Sequence, residues 1–248
     1  MSQLDLALEA KISSRHLSYV ESGKAQPSRE MMTRLADALE VPLRDRNALL
    51  MAAGYAPIYR ETRLTTPEMA LARRAVDFIL KQQEPYPAIV LDRQWNLVLA
   101  NDGATTLLQF LLGRLPRERN VVRQIFKNDL LRPYIANWEE VAGDIVRRLH
   151  HEIAWAPTDE TLQKLMAEVL SYADVPEHWR TRDLQASVSP LLTFVCRKNG
   201  TELRFFSTWT TFATPHDITL EELRIESSFP ADEITAKVWN ELISGTAR

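Results

Sequence analysis

Three groups of side chains in this sequence are of types that do chemistry in other proteins. His150 and His151 are adjacent, so on a helix they point about 100° apart and do not readily share one metal ion. The pair Glu139 and Glu140 is typical of the negatively charged first turn of a helix. Cys196 lies in an apolar run and is typical of a small core residue. We therefore predict no catalytic residue, no metal site and no enzymatic activity.

The composition is that of a soluble globular protein with enough chain for a substantial core. The chain has 248 residues, of which 45% are hydrophobic, and its formal net charge is −3. Its apolar runs fall short of the ~20 residues that a membrane span needs, and its N-terminus lacks the pattern of an export signal. A single cysteine excludes an internal disulfide. We therefore expect a cytoplasmic protein with no membrane partner.

The first sixty or so residues read as short helices, of which two are joined by a tight turn. Residues 3–7 begin one helix, residues 11–14 make the turn, and residues 15–21 begin the next. The second helix of such a pair enters the major groove of DNA in many regulators. The charges of Lys11, Arg15, Lys24 and Arg29 against Glu21 leave a local +3, which suits contact with phosphates. A helical hairpin with a solvated polar face has the same spacing, so the pattern leaves both interpretations open.

Residues 2–39 contain several short sequence pieces that together carry a family resemblance. They include Ser2-Gln3, Leu6-Ala7, Ile12-Ser13, Leu17-Ser18, Glu21-Ser22-Gly23, Pro27-Ser28 and Leu35-Ala36. With these pieces the segment resembles the helix-turn-helix of bacterial regulators of the XRE or Cro/C1 type. The resemblance implies a domain core of Leu6, Ala7, Ile12, Leu17, Val20, Leu35 and Leu39. With the local charge, it gives the candidate DNA-binding residues Gln3, Ser13, Ser14, Arg15, His16, Ser18, Tyr19 and Lys24.

Regulators of this type normally carry one more helix before the one that begins at Gln3, whereas this sequence begins at Met1. We expect either that the start is internal to a longer gene product or that the DNA-binding core lacks its first helix. In the second case apolar surface would be exposed, and DNA binding would be weak unless something covers that face.

The rest of the chain alternates between strand and helix patterns. A strand hairpin is expected within residues 88–101, and a second within residues 191–212, where Asn199-Gly200 is the preferred pair for a tight turn. Residues 220–229 predict a fifth strand, with a terminal helix from about Asp232. The fold class is therefore α+β, an antiparallel sheet of about five strands with helices on one face. We expect a helix-turn-helix domain over residues 1–56, a linker over 57–66 and a second domain over 67–248.

The second domain is rich in aromatic side chains, most of which are expected in an ordinary core. Its stretches "EPYPAIVLDRQWNLVLAN", "LRPYIANWEEVAGDIVRRL" and "FFSTWTTFATPHDITLEELRIESSFPAD" resemble the ligand-binding domain of MmyB-like transcription regulators, a PAS-like fold. The resemblance implies a cavity between sheet and helices for a small apolar ligand, with a fatty acid as the first candidate. The candidate ligand-binding residues are Trp95, Leu97, Asn101, Phe110, Phe126, Arg132, Asn137, Trp138, Val141, Ile145, Phe206 and Trp209.

A carboxylate head group would need a cation, and Arg132 or Arg147 is a candidate, although a surface salt bridge explains either arginine equally well. Together the two resemblances imply a DNA-binding transcription regulator that acts as a homodimer. Its partners would be double-stranded DNA and a small apolar ligand, with no cofactor besides a bound fatty acid or similar molecule. The alternative function is a protein–protein interaction module of the antitoxin or anti-regulator type, without sequence-specific DNA binding.

Overall fold

The computed structural model describes residues 1–181 and 191–246, so residues 182–190 and 247–248 of the expected second domain lie outside it. Within the described residues the strands are β1 Ala88–Leu91, β2 Leu97–Ala100, β3 Thr193–Lys198, β4 Thr201–Thr210 and β5 Arg224–Pro230. The α-helices there are α1 Gln3–Glu9, α2 Ser14–Glu21, α3 Arg29–Ala38, α4 Leu43–Ala52, α5 Ala70–Gln82, α6 Asp102–Leu112, α7 Val121–Phe126, α8 Trp138–Trp155, α9 Glu160–Val169, α10 Ile218–Glu222 and α11 Glu233–Thr246.

The chain divides into two compact units. The first comprises Met1–Ala70 together with Phe212–Glu222, and the second comprises Leu71–Thr211 and Leu223–Arg248. The segment Phe212–Glu222 connects β4 to β5, so the first unit contains a piece of chain that lies between two strands of the second. The sequence analysis had assigned this piece to the second domain alone.

The first unit is built from short helices that are capped by serine side chains. Ser2, Ser13 and Ser28 each accept a hydrogen bond from a backbone N–H in the first turn of the helix that follows, which satisfies a donor that the helix itself leaves unpaired. Lys11 forms the turn between α1 and α2 with a positive φ of 52°. The expected helix-turn-helix is therefore present at the expected residues.

The core of this unit is close to the one that the resemblance implied. Ala7, Leu17 and Met31 are buried, with Leu6, Ile12, Val20 and Leu35 packed against them. Leu39 was expected in this core, but it follows α3 as its C-terminal cap and 43% of it is exposed. Leu4 and Leu8 of α1 also face outwards.

The second unit is a five-stranded antiparallel sheet in the order β2-β1-β5-β4-β3. The two predicted hairpins, β1–β2 and β3–β4, are confirmed, and Asn199 and Gly200 both adopt positive φ in the second turn. The fifth strand is present but begins at Arg224, because the residues before it form α10. The α+β class predicted from the sequence is therefore correct.

One large core joins the sheet to α6, α7, α8, α9 and α11. Trp239 of α11 is fully buried, donates from Nε1 to the carbonyl of Pro85 at 2.9 Å and packs edge-on against Phe205. Cys196 is also fully buried, and burial raises the pKa of its thiol to about 12. The interpretation of Cys196 as a core residue therefore agrees with its place in β3.

The start of α6 is fixed by the side chain of Asn101. Its Oδ1 accepts from the backbone N–H of Ala104 at 2.9 Å and of Ala88 at 2.8 Å, and its Nδ2 donates to the carbonyl of Tyr86 at 2.8 Å. A Cβ at Gly103 would come within 2.6 Å of the carbonyl of Pro85, so glycine is required for this close approach. Asn101 thus joins α6 to β1.

Replacement of Asn101 by alanine tests this role. We expect Asn101→Ala to lower the free energy of unfolding by about 2–4 kcal/mol, because a helix cap is lost and buried backbone groups lose their partners. Chemical denaturation with circular dichroism measures the change. Asn240→Ala, at an exposed position of α11, is the matched control and should leave the stability unchanged. An equal loss in both variants would contradict the assignment.

Candidate functional site

The first candidate surface is the outer face of α2 with the neighbouring ends of α1 and α3. All eight candidate DNA-binding residues are exposed there. Arg15 donates from Nε to the hydroxyl of Tyr19 at 3.1 Å, and its guanidinium lies 5.5 Å from the centre of that ring. This contact holds the Arg15 side chain along the exposed face of the helix, where it presents a positive charge to a partner.

Two residues of the candidate set have structural roles as well. Ser13 caps α2 through its Oγ, which accepts from the N–H of His16 at 3.1 Å. Gln3 donates a short hydrogen bond from Nε2 to the carboxylate of Glu21, which joins the first turn of α1 to the end of α2. Both side chains remain exposed, so they lie on the surface that the resemblance assigned to DNA.

The second candidate site is a cavity of about 490 Å³ in the second unit. It lies between the sheet and helices α6, α7 and α8. Its size is within the range of roughly 300–1,000 Å³ that small-molecule sites occupy. Its wall is mostly apolar, and the apolar lining side chains include Ile89, Trp95, Leu97, Leu107, Leu108, Val121, Ile125, Leu131, Val141, Ile145, Phe194, Phe205 and Trp209.

The helices border the cavity with residues that recur at the spacing of one helix face. On α6, Ala104, Leu107 and Leu108 share one face and border the cavity. On α8, Val141, Asp144, Ile145 and Arg148 recur at steps of three and four residues and form the opposite wall. The two helices therefore supply an apolar surface that is interrupted by charge only at Asp144 and Arg148.

The polar side chains of the cavity come together at one end. Arg148 donates from Nε to Asp144 at 2.7 Å, and its guanidinium carbon lies 4.4 Å from the centre of the Trp209 ring. Glu226 of β5 lies directly across the sheet from Trp209. Burial raises the pKa of the Glu226 carboxyl, and hydrogen bonds from Ser207 and Trp209 and the charge of Arg148 oppose this rise.

The candidate ligand-binding residues fall into two groups. Trp95, Leu97, Val141, Ile145 and Trp209 border the cavity. The remaining seven lie elsewhere in the described structure: Asn101, Phe110, Phe126, Arg132, Asn137, Trp138 and Phe206.

The contacts of these seven residues lie outside the cavity. Asn101 caps α6, and the carbonyl of Phe110 accepts from Nζ of Lys198 at 2.7 Å. Phe206 stacks on Phe229 with ring centres 5.4 Å apart, on the opposite side of β4 from Phe205 and Ser207.

Phe126, Trp138 and Arg132 form a stack at the side of the core. The Phe126 ring meets Trp138 edge-on, with ring centres 5.5 Å apart, and the guanidinium carbon of Arg132 lies 3.8 Å from the centre of the Trp138 ring. Arg132 also pairs with Asp174 at 3.1 Å. Asn137 donates to the carbonyl of Thr193 at 2.7 Å. These contacts account for the positions of the side chains, which do not border the cavity.

Neither arginine that was a candidate for binding a carboxylate borders the cavity. Arg132 contacts Trp138 and Asp174, and Arg147 donates to Asp144 at 3.2 Å. Arg148, one residue further along α8, borders the cavity. Sequence reasoning missed Arg148, Asp144, Glu226, Ser207 and Ser228. In "RIESSF" every second residue from Arg224 is polar, which was a signal for Glu226 and Ser228, since alternate residues of a strand share one face.

The side chains first considered as catalysts have structural partners. His150 shares a hydrogen bond of 2.8 Å with the carbonyl of Trp179, and His151 accepts from Nε1 of Trp155 at 3.1 Å. Glu139 and Glu140 lie in the first turn of α8, as expected. In residues 1–181 and 191–246 no group of three or more His, Cys, Asp or Glu side chains is placed to hold a metal ion.

The connection between β4 and β5 forms a third feature, which belongs to the first unit. Arg44 of α4 donates to both oxygens of Glu222 at 2.7 and 2.9 Å, and to both oxygens of Glu61 at 2.6 and 3.0 Å. These hydrogen bonds, first to Glu222 and then to Glu61, raise the pKa of Arg44 above its ordinary value. The backbone N–H of Leu43 donates to Glu221 at 2.7 Å. The start of α4 is therefore joined to α10 by charged hydrogen bonds.

The expected linker over residues 57–66 is held in the same place. Asn47 of α4 accepts from the N–H groups of Ile58 and Tyr59 at 2.9 and 3.1 Å, and donates to the carbonyl of Tyr59 at 2.8 Å. The N–H of Ile218 donates to the carbonyl of Arg60 at 2.9 Å. This part of the chain is therefore ordered against α4 and α10.

Comparison with known protein families decides what these features belong to. The model of the MmyB-like transcription regulator ligand binding domain matches residues 72–242, and a helix-turn-helix model matches residues 1–45. The first match covers more than half of the chain. The chain belongs to the MmyB-like transcription regulator family. Both resemblances found in the sequence are thereby confirmed, and both families are regulatory.

The protein is therefore a DNA-binding transcription regulator with a ligand-sensing domain. In this MmyB-like regulator, the matched ligand-binding domain contains the whole cavity, and the matched helix-turn-helix contains all eight candidate DNA-binding residues. A search among curated proteins finds no match to the chain. None of the helices in the described part of the chain is long and apolar enough to cross a membrane.

The connection between α4 and α10 can be tested by hydrogen exchange. We expect Arg44→Gln to speed exchange in residues 212–222 by at least about tenfold, because a five-residue helix depends on its packing partners for protection. Mass spectrometry of peptides from the exchanged protein measures the change. Arg34→Gln is the control, since Arg34 is an exposed arginine of α3 with a helical ion pair to Glu30. Unchanged protection of residues 212–222 in Arg44→Gln would rule out this connection.

Proposed function

We propose that this regulator senses a fatty acid in the cavity of its second unit and that the bound ligand changes its affinity for operator DNA. The observation that carries the proposal is the cavity itself. It is large and mostly apolar, and Arg148 lies at its wall. A guanidinium matches the geometry of a carboxylate, and an apolar wall matches an acyl chain.

The DNA-binding part of the proposal rests on α2. Its exposed side chains include donors that suit base edges and phosphates, and Arg15 has the type and exposure of a base-reading or phosphate-binding residue. We propose that two copies of the chain form a homodimer, because regulators of this kind place two such helices on a two-fold operator.

Ligand binding affects DNA binding only if the ligand favours one arrangement of the DNA-binding units. One continuous piece of chain connects two strands that border the cavity with the first unit. Trp209 and Glu226 border the cavity from β4 and β5, and the segment Phe212–Glu222 between these strands is held by Arg44 and Leu43 of α4. We propose that a shift of β4 and β5 around the ligand is passed to α4 through this segment.

The DNA-binding role of α2 is tested by Arg15→Ala. We expect its affinity for DNA from the promoter upstream of its own gene to fall by at least about tenfold, since one contact to a base edge is worth about 1–3 kcal/mol. A gel shift at moderate salt with the full gene product measures the affinity.

Lys237→Ala is the matched control, because it removes one positive charge from an exposed position of α11. This variant should bind DNA as the wild type does. Equal losses in the two variants would indicate a general charge effect. An unaffected Arg15→Ala variant that still binds a protein partner would favour the interaction-module alternative.

The cavity as the ligand site is tested by filling it. Leu97 of β2 borders the cavity, and we expect Leu97→Trp to weaken binding of dodecanoic acid by at least about tenfold, because the larger side chain occupies the space of the ligand. Isothermal titration calorimetry on delipidated protein measures the affinity. Native mass spectrometry of the purified protein reports any lipid that remains bound.

The control for this experiment is Leu99→Trp on the same strand. The register of β1 and β2 shifts between Val90, which pairs with Leu99, and Leu91, which pairs with Leu97. Since Val90 and Leu91 are adjacent and face opposite sides of the sheet, Leu99 lies on the side away from the cavity. This variant should bind dodecanoic acid as the wild type does. Wild-type affinity in Leu97→Trp would exclude the cavity as the site.

A further inference from the structure

On the side of the cavity that the sheet forms, the central strand carries a row of polar side chains. β5 is the central strand of the sheet, and its residues Arg224, Glu226 and Ser228 point to the same side, because side chains alternate along a strand. Glu226 and Ser228 border the cavity. The central strand of a buried sheet normally carries apolar side chains on the face that meets the core, so polar residues at these positions need an explanation.

A second strand extends this row of polar side chains. Ser207 of β4 pairs with Ser228 across the sheet, and their hydroxyl oxygens are 3.4 Å apart. Ser207 also borders the cavity. The carboxyl of Glu226 and the hydroxyls of Ser207 and Ser228 therefore form one cluster, with donors and acceptors directed at the same part of the cavity.

The surroundings of this cluster favour a ligand with a hydroxyl group. Glu226 is flanked across the sheet by Ile89 and Trp209, and the charged groups that face it from α8 are Arg148 and Asp144. Glu226 already accepts hydrogen bonds from Ser207 and Trp209, and Ser207 and Ser228 lie within hydrogen-bond distance of each other. A hydroxyl group on the ligand adds a further hydrogen bond to this cluster, which an acyl chain with only methylene groups does not make.

The position of the cluster relative to Arg148 indicates where that group sits on the ligand. Arg148 lies over Trp209, and Ser207 is two residues along the same strand. Two residues of a strand span about 6.6–6.8 Å, whereas Glu226 lies directly across the sheet from Trp209. A carboxylate at Arg148 therefore places Glu226 beside the carbons nearest the head group, and the Ser207–Ser228 pair follows further along the cavity.

We propose that the ligand is a fatty acid with a hydroxyl group near its carboxyl end, which hydrogen bonds to Glu226, Ser207 and Ser228 while the carboxylate pairs with Arg148. This inference rests on the proposed sensing of a fatty acid and names the class of fatty acid. A site that hydrogen bonds to a hydroxyl group of the ligand favours that ligand over the analogue that lacks it, because the analogue does not make the bond.

The test compares 3-hydroxydodecanoic acid with dodecanoic acid by calorimetry on the delipidated full chain. We expect the wild type to bind the hydroxy acid at least about tenfold more tightly. In the double variant Ser207→Ala with Ser228→Ala this preference should fall below about threefold, with dodecanoic acid bound as in the wild type. Thr208→Ala, on the exposed side of β4, is the control and should keep the full preference.

The possible results distinguish a failure of the proposed hydroxyl site from a failure of the proposed sensing of a fatty acid. Equal affinity of the wild type for both acids would overturn the hydroxyl site and leave the sensing of a fatty acid standing. An undiminished preference in the double serine variant would overturn the assignment to Ser207 and Ser228. If neither acid binds to the wild type, both the fatty acid and its hydroxylated form are excluded as ligands.

Discussion

An apolar space that remains open between the sheet and helices α6, α7 and α8 is the constraint on which the rest of the structure depends. Protein interiors are normally filled to crystal-like density, and atoms that border a void lose contacts on one side. The walls must therefore be fixed by contacts outside the cavity. Asn101 joins α6 to β1, and Trp239 joins α11 to the carbonyl of Pro85 and the ring of Phe205.

The need to hold the cavity walls in place also explains the hydrogen bonds of residues that match the family pattern but do not border the cavity. Asn137 bonds to the backbone of β3 through Thr193 and Val195, and Trp138 donates to the carbonyl of Ile125 at 2.9 Å. These polar contacts fix the start of α8 against β3 and α7. A ligand domain needs such supports because apolar packing alone is non-directional and would close the space.

A second consequence concerns the link between sensing and DNA binding. The segment Phe212–Glu222 leaves β4 and returns to β5, the two strands that carry the row of polar side chains, and it packs within the first unit through Glu221 and Glu222. Charge-assisted hydrogen bonds are directional and depend on both partners being in place. We propose that this connection passes a ligand-dependent shift of β4 and β5 to α4.

The sequence by itself determined the two hairpins and the α+β class, which follow from local signals such as Asn199-Gly200 and apolar periodicity. It also gave the helix-turn-helix and most of the first unit's core, through the resemblance to regulators of the XRE type. Tertiary structure alone decided that Arg148 and not Arg132 faces the cavity, that Phe206 faces away from it, and that residues 212–222 join the first unit. The physical reason is that register and long-range pairing set the direction of each side chain, and a shift of one residue on a strand or helix changes its neighbours completely.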